Sequence, residues 1–356
     1  MNAKNNGHYE SNGQGPPRIG ICMGDPAGIG PEVVVKALAD PAVRGLGRFI
    51  IYGFDEHLSY AAGRAEINGF WYRMPHEQVD RIERGVVVAD FDELAAPGPG
   101  VRTHSAEGGI ASMQFLEGAI AALHDDRLDA VVTAPISKTS WKLAGYRFPG
   151  HTELFASAFD CRGRVTMCFI GGGLRVALVS THQSLFDLRN SFTIGRVFQP
   201  IDLMHDALRD WFGIAEPRIA VAGLNPHASE DGRFGDEERR IIEPAIIMAR
   251  EAGIRVDGPF PADTVFLDAL KGRCDGVVAM YHDQGLIPVK LLAFDSAVNV
   301  TLGLPVIRTS VDHGTAFDIV GQNRANPGSM KSAIELAAHL ARQRVQAPVA
   351  AVAVQD

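Results

Sequence analysis

Short apolar runs of strand length alternate along this chain with segments of helical periodicity, and this alternation limits the fold more than any other feature. The first run, at 18–23, leads through a glycine-rich turn into a predicted helix at 33–39. Alternating strands and helices are typical of a largely parallel sheet covered by helices. One exception is predicted at 165–180, where two apolar runs joined by three glycines form an antiparallel hairpin.

The same reading predicts the rest of an α/β chain. Further strands are predicted at 49–53, 86–89, 129–133, 218–224 and 274–281, and helices at 109–123, 192–211 and 237–251. A short helix that carries Lys138 is predicted to begin at Ser137, whose hydroxyl suits a helix N-cap. The length of 356 residues is consistent with two domains or one large one.

Composition and charge exclude several classes of protein. The formal net charge of −8 leaves no basic surface to neutralise nucleic-acid phosphates, so nucleic acid is not expected as a partner. No run of about 18 apolar residues is present, so no membrane span is expected. The four cysteines show no metal-binding or disulfide spacing, and the start of the chain lacks a signal-peptide pattern, so we expect a cytoplasmic protein.

Three predicted strands each end in a histidine: His182, His227 and His282. In open parallel α/β sheets, functional side chains gather at the carboxyl ends of strands. Three imidazole nitrogens could hold one divalent cation and leave a coordination position open for substrate. The residues alone leave a second interpretation open, in which the three histidines lie on unrelated loops.

Several side chains suit an acidic, phosphorylated ligand. Arg308 and Lys290 lie on otherwise apolar segments of an acidic chain, where they could serve a phosphate or a carboxylate. His151 and Thr152 open a predicted helix, whose free backbone N–H groups favour an anion. Simpler alternatives stay open: Arg308 paired with Asp312, a solvent-directed Lys290, and Thr152 as a helix cap beside a surface His151.

The chain resembles the 4-hydroxythreonine-4-phosphate dehydrogenase family in several specific strings. These are GDPAGIGPE at 24–32, GHTE at 150–153, HDQGL at 282–286 and TLGLP-x-IRTSVDHGTA at 301–316. The segment HGTAFDIVGQNRANPGS is also similar to the cofactor loop of isopropylmalate and isocitrate dehydrogenases. The resemblance implies two α/β/α domains with mostly parallel sheets and an active site in the cleft between them.

The implied domains are discontinuous in sequence. Residues 18–135 and 300–356 would form the first α/β domain, on the cofactor side. Residues 136–299 would form the second, on the metal and dimer side, and residues 1–17 are predicted to be a disordered tail.

The resemblance also assigns individual residues. It implies a divalent metal (Zn, Mg or Co) on His182, His227 and His282, in a site shared between the subunits of a homodimer. It implies substrate contacts and contacts with NAD or NADP as follows: His151, Thr152, Lys290, Asn299 and Arg308 for substrate, and His313, Gly314 and Asn326 for the cofactor. From the residues themselves, Asp263 is a candidate to orient the substrate or a ligand histidine, and Asp283 and Lys138 are candidate general bases.

The implied reaction is the oxidation of 4-phosphooxy-L-threonine at C3 and its decarboxylation to 3-amino-2-oxopropyl phosphate, a step of pyridoxal phosphate biosynthesis. The segments QSLFDLRNSF, at 183–192, and KLLAFDSAVN, at 290–299, depart from the expected pattern. They favour as an alternative a dehydrogenase of 4-phospho-D-threonate or 4-phospho-D-erythronate. A cis-dihydrodiol dehydrogenase and a phosphate acyltransferase are more distant alternatives, and the latter would need no metal.

Overall fold

The computed structural model describes residues 15–79 and 85–346. Most of the predicted N-terminal tail, residues 1–14, and the C-terminal part of the predicted first domain, residues 347–356, lie outside this range. The described strands are β1 (Arg18–Cys22), β2 (Arg48–Gly53), β3 (Tyr72–Pro75), β4 (Val86–Asp90), β5 (Ala130–Thr133), β6 (Thr166–Gly171), β7 (Leu174–Leu178), β8 (Ile219–Ala222), β9 (Val256–Phe260), β10 (Gly276–Ala279), β11 (Val298–Leu302) and β12 (Ile307–Val311).

The helices follow the strands in the alternating manner that the sequence predicts. They are α1 (Gly30–Ala39), α2 (Pro41–Arg44), α3 (Asp55–Arg64), α4 (Ala106–His124), α5 (Lys138–Leu143), α6 (His151–Ala158), α7 (Leu188–Ser191), α8 (Ile194–Asp210), α9 (Glu243–Glu251), α10 (Val265–Leu270), α11 (His282–Ala293) and α12 (Gly328–Gln346). Short turns of other helical types lie at His76–Gln78, Pro226–Ser229, Glu238–Ile242 and Phe317–Ile319.

All twelve described strands belong to one sheet, in the order β3-β4-β2-β1-β5-β12-β11-β6-β7-β10-β8-β9. Most neighbours are parallel, and the antiparallel pairs are β12 with β11, β11 with β6, and β6 with β7. The predicted mostly parallel α/β fold and the antiparallel hairpin at 165–180 are therefore confirmed. Because three antiparallel pairs separate β12 from β7, the parallel strands at the two ends of the sheet run in opposite directions.

Strands near the middle of the sheet are buried on both faces, as parallel strands covered by helices must be. In β5 and β12, every residue is buried. The apolar residues of β1, β2, β4 and β5 join one large core with those of α1, α4 and α12. A smaller core of β7, β10 and α11 covers part of the other half of the sheet.

Two glycine-dependent approaches bring the loops after the strands together. Gly24, which follows β1, has φ +80°, and a Cβ there would lie 2.3 Å from the carbonyl oxygen of Pro135, after β5. A Cβ on Gly28 would lie 3.1 Å from Thr315, after β12. The backbone N–H of Ile29 also donates to the carbonyl of Thr315, at 3.0 Å. Three loops at this edge of the sheet therefore form one packed unit.

The predicted helix start at Ser137 is also confirmed, because its hydroxyl accepts a hydrogen bond from the N–H of Ser140 at 3.0 Å. The four cysteines are free. Among the described helices, none combines the length and the apolar composition that a membrane crossing requires. The division into two domains stays a prediction, since one sheet runs through both predicted parts.

Candidate active site

Arg308 is the centre of the candidate anion site. Its side chain on β12 is only 2% exposed and donates to the hydroxyls of Thr133, at 2.7 and 3.2 Å, and of Thr301, at 3.0 Å. No carboxylate pairs with it in the described part of the chain. Burial lowers the pKa of the guanidinium to about 10, so it remains charged at neutral pH. A buried charge without a counter-ion is costly unless a ligand supplies one.

His151 lies beside this guanidinium at the first residue of α6. Its ring nitrogen Nε2 is buried and has no hydrogen-bond partner among the described residues. Burial, and then the positive charges of Arg308 and Lys138, hold the pKa of His151 well below its usual value. The helix N-cap is Gly150, without a side-chain cap, so the alternative that Thr152 caps this helix is wrong.

Two further predicted substrate residues lie on neighbouring elements. Asn299 on β11 pairs with Ser310 on β12, which places it on the same face of the sheet as Arg308. Its Oδ1 is buried and has no partner in the described segments. Lys290 on α11 lies 3.2 Å from Asp312. The alternative ion pair between Arg308 and Asp312 is therefore wrong, because Lys290 takes that carboxylate.

His182 and His282 lie close together, with ring centroids 5.9 Å apart. His282 is the first residue of α11, and its Nδ1 lies 2.7 Å from the Asp283 carboxylate, which leaves Nε2 as the nitrogen available to a metal. The pKa of His182 is lowered by burial, and then by the charges of Lys138 and His282. A neutral imidazole is the form that binds metal.

His227 lies on a strained turn that follows β8. Five successive residues, 227–231, have positive φ, between 44° and 68°, although none is glycine. The buried Glu238 fixes the start of this turn, because its carboxylate accepts hydrogen bonds from the N–H groups of Leu224 and Asn225 at 2.8 and 2.7 Å. Such backbone strain persists only where surrounding contacts hold it, and it often marks functional sites.

The three predicted metal ligands do not converge within one protomer. A group of three residues whose ligand atoms all lie within 4.8 Å of one another is found at His76, Glu77 and Glu93, and not at the three predicted histidines, among the residues that the structure describes. Within one chain, His182 and His282 thus offer two imidazoles that suit a divalent metal, and the place of His227 in the same site stays a prediction.

The predicted residues Lys138, Asp263 and Asp283 differ in how close they lie to the anion site and to the two neighbouring histidines. Lys138, at the start of α5, acts electrostatically on both His151 and His182. Asp263 is exposed, in the loop before α10, and no described hydrogen bond or ion pair joins it to the other predicted residues. Of the two candidate bases, Lys138 has the free side chain, since Asp283 is occupied by His282.

The predicted cofactor residues share one loop between β12 and α12. His313 has a buried Nε2 without a partner among the described residues, and Gly314 is exposed beside it. Asn326 accepts a hydrogen bond from the N–H of Gly328 at 2.9 Å. Lys36 of α1 ties this loop down through the carbonyls of 323 and 325. The unpartnered ring nitrogen is consistent with a polar ligand here, as the predicted dinucleotide would provide.

Sequence reasoning did not assign Glu153 or the two threonines that hold Arg308. Glu153 belongs to the GHTE string, and its place in this site motif was the available signal in the sequence. In the structure, its charge acts on both Arg308 and His182. Thr133 ends the short strand β5, and Thr301 lies within β11. No neighbouring residue in the sequence marks either threonine as part of a site. Only the alignment of β5, β12 and β11 brings their hydroxyls to the guanidinium.

Comparisons with known proteins agree on one family. A sequence model of the family described as pyridoxal phosphate biosynthetic protein PdxA matches residues 48–337. A 4-hydroxythreonine-4-phosphate dehydrogenase of Geobacter metallireducens is 45% identical over 332 residues, or 92% of this chain and 96% of the relative. A D-threonate 4-phosphate dehydrogenase of Cupriavidus necator is 44% identical over 333 residues, or 92% and 98% of the two chains.

A solved structure gives the same result in three dimensions. The crystal structure of a 4-hydroxythreonine-4-phosphate dehydrogenase from Klebsiella pneumoniae is similar to this chain with a TM-score of 0.82 and 40% identity. The match covers 91% of this chain and 99% of that one. The similarity therefore extends over nearly all of both molecules.

Proposed function

This chain belongs to the pyridoxal phosphate biosynthetic protein PdxA family, and from that premise we propose that it oxidises 4-hydroxythreonine 4-phosphate at C3 with NAD or NADP. Decarboxylation of the oxidised product would then give 3-amino-2-oxopropyl phosphate. The observation that carries the proposal is the buried, unpaired guanidinium of Arg308. It requires an anionic ligand, and a phosphorylated substrate supplies one.

The phosphate would bind between Arg308 and His151. The guanidinium supplies charge, and the neutral imidazole supplies a hydrogen bond through its unpartnered Nε2. The buried Oδ1 of Asn299 would accept a hydrogen bond from a substrate hydroxyl or amine. Lys290, held by Asp312, places a second cation on the same face of the sheet.

The bound dinucleotide supplies a hydride acceptor, and a divalent metal supplies polarisation of the C3 hydroxyl. The chain itself orients one of the two ligand rings, since Asp283 fixes His282 through Nδ1. Lys138 is our proposed acceptor of the C3 hydroxyl proton, at Nζ in its neutral amine form, because the residue lies within electrostatic range of both the anion-binding His151 and the ligand His182. His313, Gly314 and Asn326 would bind the dinucleotide.

We further propose a homodimer in which His227 of the partner subunit joins His182 and His282. Support comes from α11, which begins at His282 and exposes large apolar side chains at helical spacing. They are Ile287 (59% exposed) and Leu291 (81%), and Phe294 (76%) directly follows the helix. Exposed apolar side chains grouped next to an incomplete site indicate a surface that another chain covers.

Mixing of two inactive variants tests the shared site. His227→Ala and His282→Ala are each expected to lose bound metal and turnover. If the third ligand comes from the other subunit, a mixed dimer of the two variants contains one complete site. Random exchange of subunits should then restore about a quarter of the wild-type activity.

The control mixture is His182→Ala with His282→Ala, which cannot restore activity because both residues come from the same chain in every site. Recovery in the control and not in the test mixture would reject this arrangement of ligands. The metal content of each purified variant, and its mass in solution, give readouts that do not depend on turnover.

The alternative substrate is examined with the same enzyme. The similarity to a D-threonate 4-phosphate dehydrogenase keeps 4-phospho-D-threonate, and with it 4-phospho-D-erythronate, as alternatives. We expect the amino acid to have the highest kcat/KM of the three phosphorylated acids, and a preference for a sugar acid would overturn this ranking. The free cysteines suit a reducing compartment, so we propose a cytoplasmic location.

A further inference from the structure

An ion pair on α1 lies against the loop that carries the predicted cofactor residues. Lys36 follows Glu32 by one helical turn, and its Nζ lies 2.7 Å from the Glu32 carboxylate. Glu32 is buried, at 7% exposed, and Lys36 is half-buried. An exposed ion pair exchanges its partners with water, whereas this pair is enclosed and has a defined position on the helix.

Both members of the pair also bond to the backbone of that loop. Lys36 Nζ donates to the carbonyls of Asn323, at 3.1 Å, and Ala325, at 3.0 Å. The Oε1 of Glu32 accepts a hydrogen bond from the N–H of Ala325 at 2.8 Å. Side chains of α1 therefore hold both backbone groups of Ala325, and Asn326, a predicted cofactor residue, follows it directly.

The loop has a backbone shape that its residue types do not favour. Ala316 and Asn323 have φ angles of 41° and 57°, and Gly321 has φ 70°. Residues other than glycine keep such angles only where surrounding contacts hold them. Arg64, the last residue of α3, adds one more contact, from its Nε to the carbonyl of Gly321 at 3.1 Å. The shape of the loop thus depends on side chains of α1 and α3.

We propose that Glu32 and Lys36 are positioning residues for the dinucleotide, which hold residues 313–326 in the shape that binds it and do not contact it themselves. The proposal rests on the proposed function and adds two residues to it. A loop that is fixed before binding loses less conformational freedom when the ligand arrives, so the affinity is higher.

A direct role for Lys36 predicts a different result for Glu32. The pyrophosphate of a dinucleotide is anionic. If Lys36 bound it directly, removal of the adjacent carboxylate would strengthen binding, because a repelling charge would be lost. If the pair acts through the loop, removal of either member weakens binding. The sign of the effect of Glu32→Gln therefore distinguishes the two roles.

The test is a fluorescence titration with NADH and with NADPH, without substrate, using whichever wild type binds more tightly. Lys36→Met is expected to raise Kd about tenfold, because two loop carbonyls lose their donor. Glu32→Gln should raise Kd about threefold or more, since an amide is a weaker acceptor for the N–H of Ala325. The two effects should not add, because both act on one loop. Lys36→Arg should recover part of the loss.

Lys331→Met is the matched control. Lys331 on α12 forms an ion pair with Asp40, the residue that follows α1, at 2.8 Å. Its side chain makes no described hydrogen bond to residues 313–326, so Kd for the dinucleotide should stay within about twofold of wild type. Urea unfolding of each variant verifies that it is folded and separates loss of stability from loss of affinity.

The outcomes separate this proposal from the proposed function. Tighter binding in Glu32→Gln, or a wild-type Kd in Lys36→Met, would overturn the positioning role and leave the proposed function standing, because wild type still binds the dinucleotide. An equal loss of affinity in Lys331→Met would reduce the effect to general destabilisation and also overturn it. If wild type bound neither NADH nor NADPH, the positioning role and the cofactor part of the proposed function would fail together.

Discussion

Arg308 shows at the scale of one residue how a binding site costs stability. A charged guanidinium that is 2% exposed, with two threonine hydroxyls and no carboxylate at ion-pair distance among the described residues, carries a desolvation penalty of several kcal/mol. The sequence indicated an anion-binding arginine because it stands on an apolar strand. It could not indicate which groups surround that charge in the folded protein, because a partner such as Thr133 lies 175 residues away in sequence.

Replacement of Arg308 by methionine separates binding from stability. Arg308→Met should lower substrate affinity by about a hundredfold or more, because a charge-assisted contact with the phosphate is lost. The free energy of unfolding should change by no more than about 1 kcal/mol, since removal of the unpaired buried charge offsets the lost hydrogen bonds. Calorimetric titration and urea unfolding measure the two effects. A destabilisation of 3 kcal/mol or more, on the order expected for a broken buried ion pair, would show that the charge is compensated within the protein.

At the scale of elements, the sequence predicts most of the inner strands, although not the central pair β12 and β11, and it predicts the edges poorly. The strands near the middle are continuous apolar runs, because helices cover both of their faces. β3 and β9 are the two edge strands of the described sheet, and sequence reasoning did not predict either. Three of the four β3 residues are exposed, and β9 contains Gly258 and Pro259, so neither carries the apolar pattern of a buried strand. The sequence predicted the end of a strand at His227. It did not predict the run of positive φ angles there, because none of the five residues is glycine.

The anchoring of that turn gives a prediction for Glu238. Glu238→Gln keeps the shape of the side chain but replaces a charged acceptor of two backbone N–H groups by an amide. We expect a loss of about 1–3 kcal/mol in the free energy of unfolding. Metal affinity should fall about 10- to 100-fold, because the turn positions His227. Glu237→Gln is the control, since Glu237 contacts only the side chain of Asn225. Equal effects of the two substitutions on metal affinity would contradict this role.

At the scale of the whole molecule, buried histidines predict how stability depends on pH. Burial lowers the pKa of His57, His151 and His313 in the folded protein. As the pH falls below about 6.5, the unfolded chain binds protons that these folded rings do not, so stability decreases toward acid. Each ring contributes at most about 1.4 kcal/mol per pH unit.

His57 is suited to test this dependence, because its ring is buried and lies away from the predicted metal ligands, where its Nε2 contacts the carbonyl of Pro97 at 2.9 Å. In His57→Gln, the decrease in unfolding free energy between pH 7 and pH 5.5 should be smaller than in wild type. His124→Gln, at an exposed ring, is the matched control. Denaturant unfolding at a series of pH values measures the slopes, and identical slopes in all three proteins would exclude a contribution from His57.

The position of β12 in the middle of the sheet has a consequence for biosynthesis. This strand joins β5 to β11, yet it follows every other described strand along the chain. A nascent chain of 300 residues already carries all three candidate ligand histidines but lacks the arginine that the phosphate requires. A polypeptide that stops before β12 would also lack the strand that connects the two halves of the sheet, so it could not form the phosphate site.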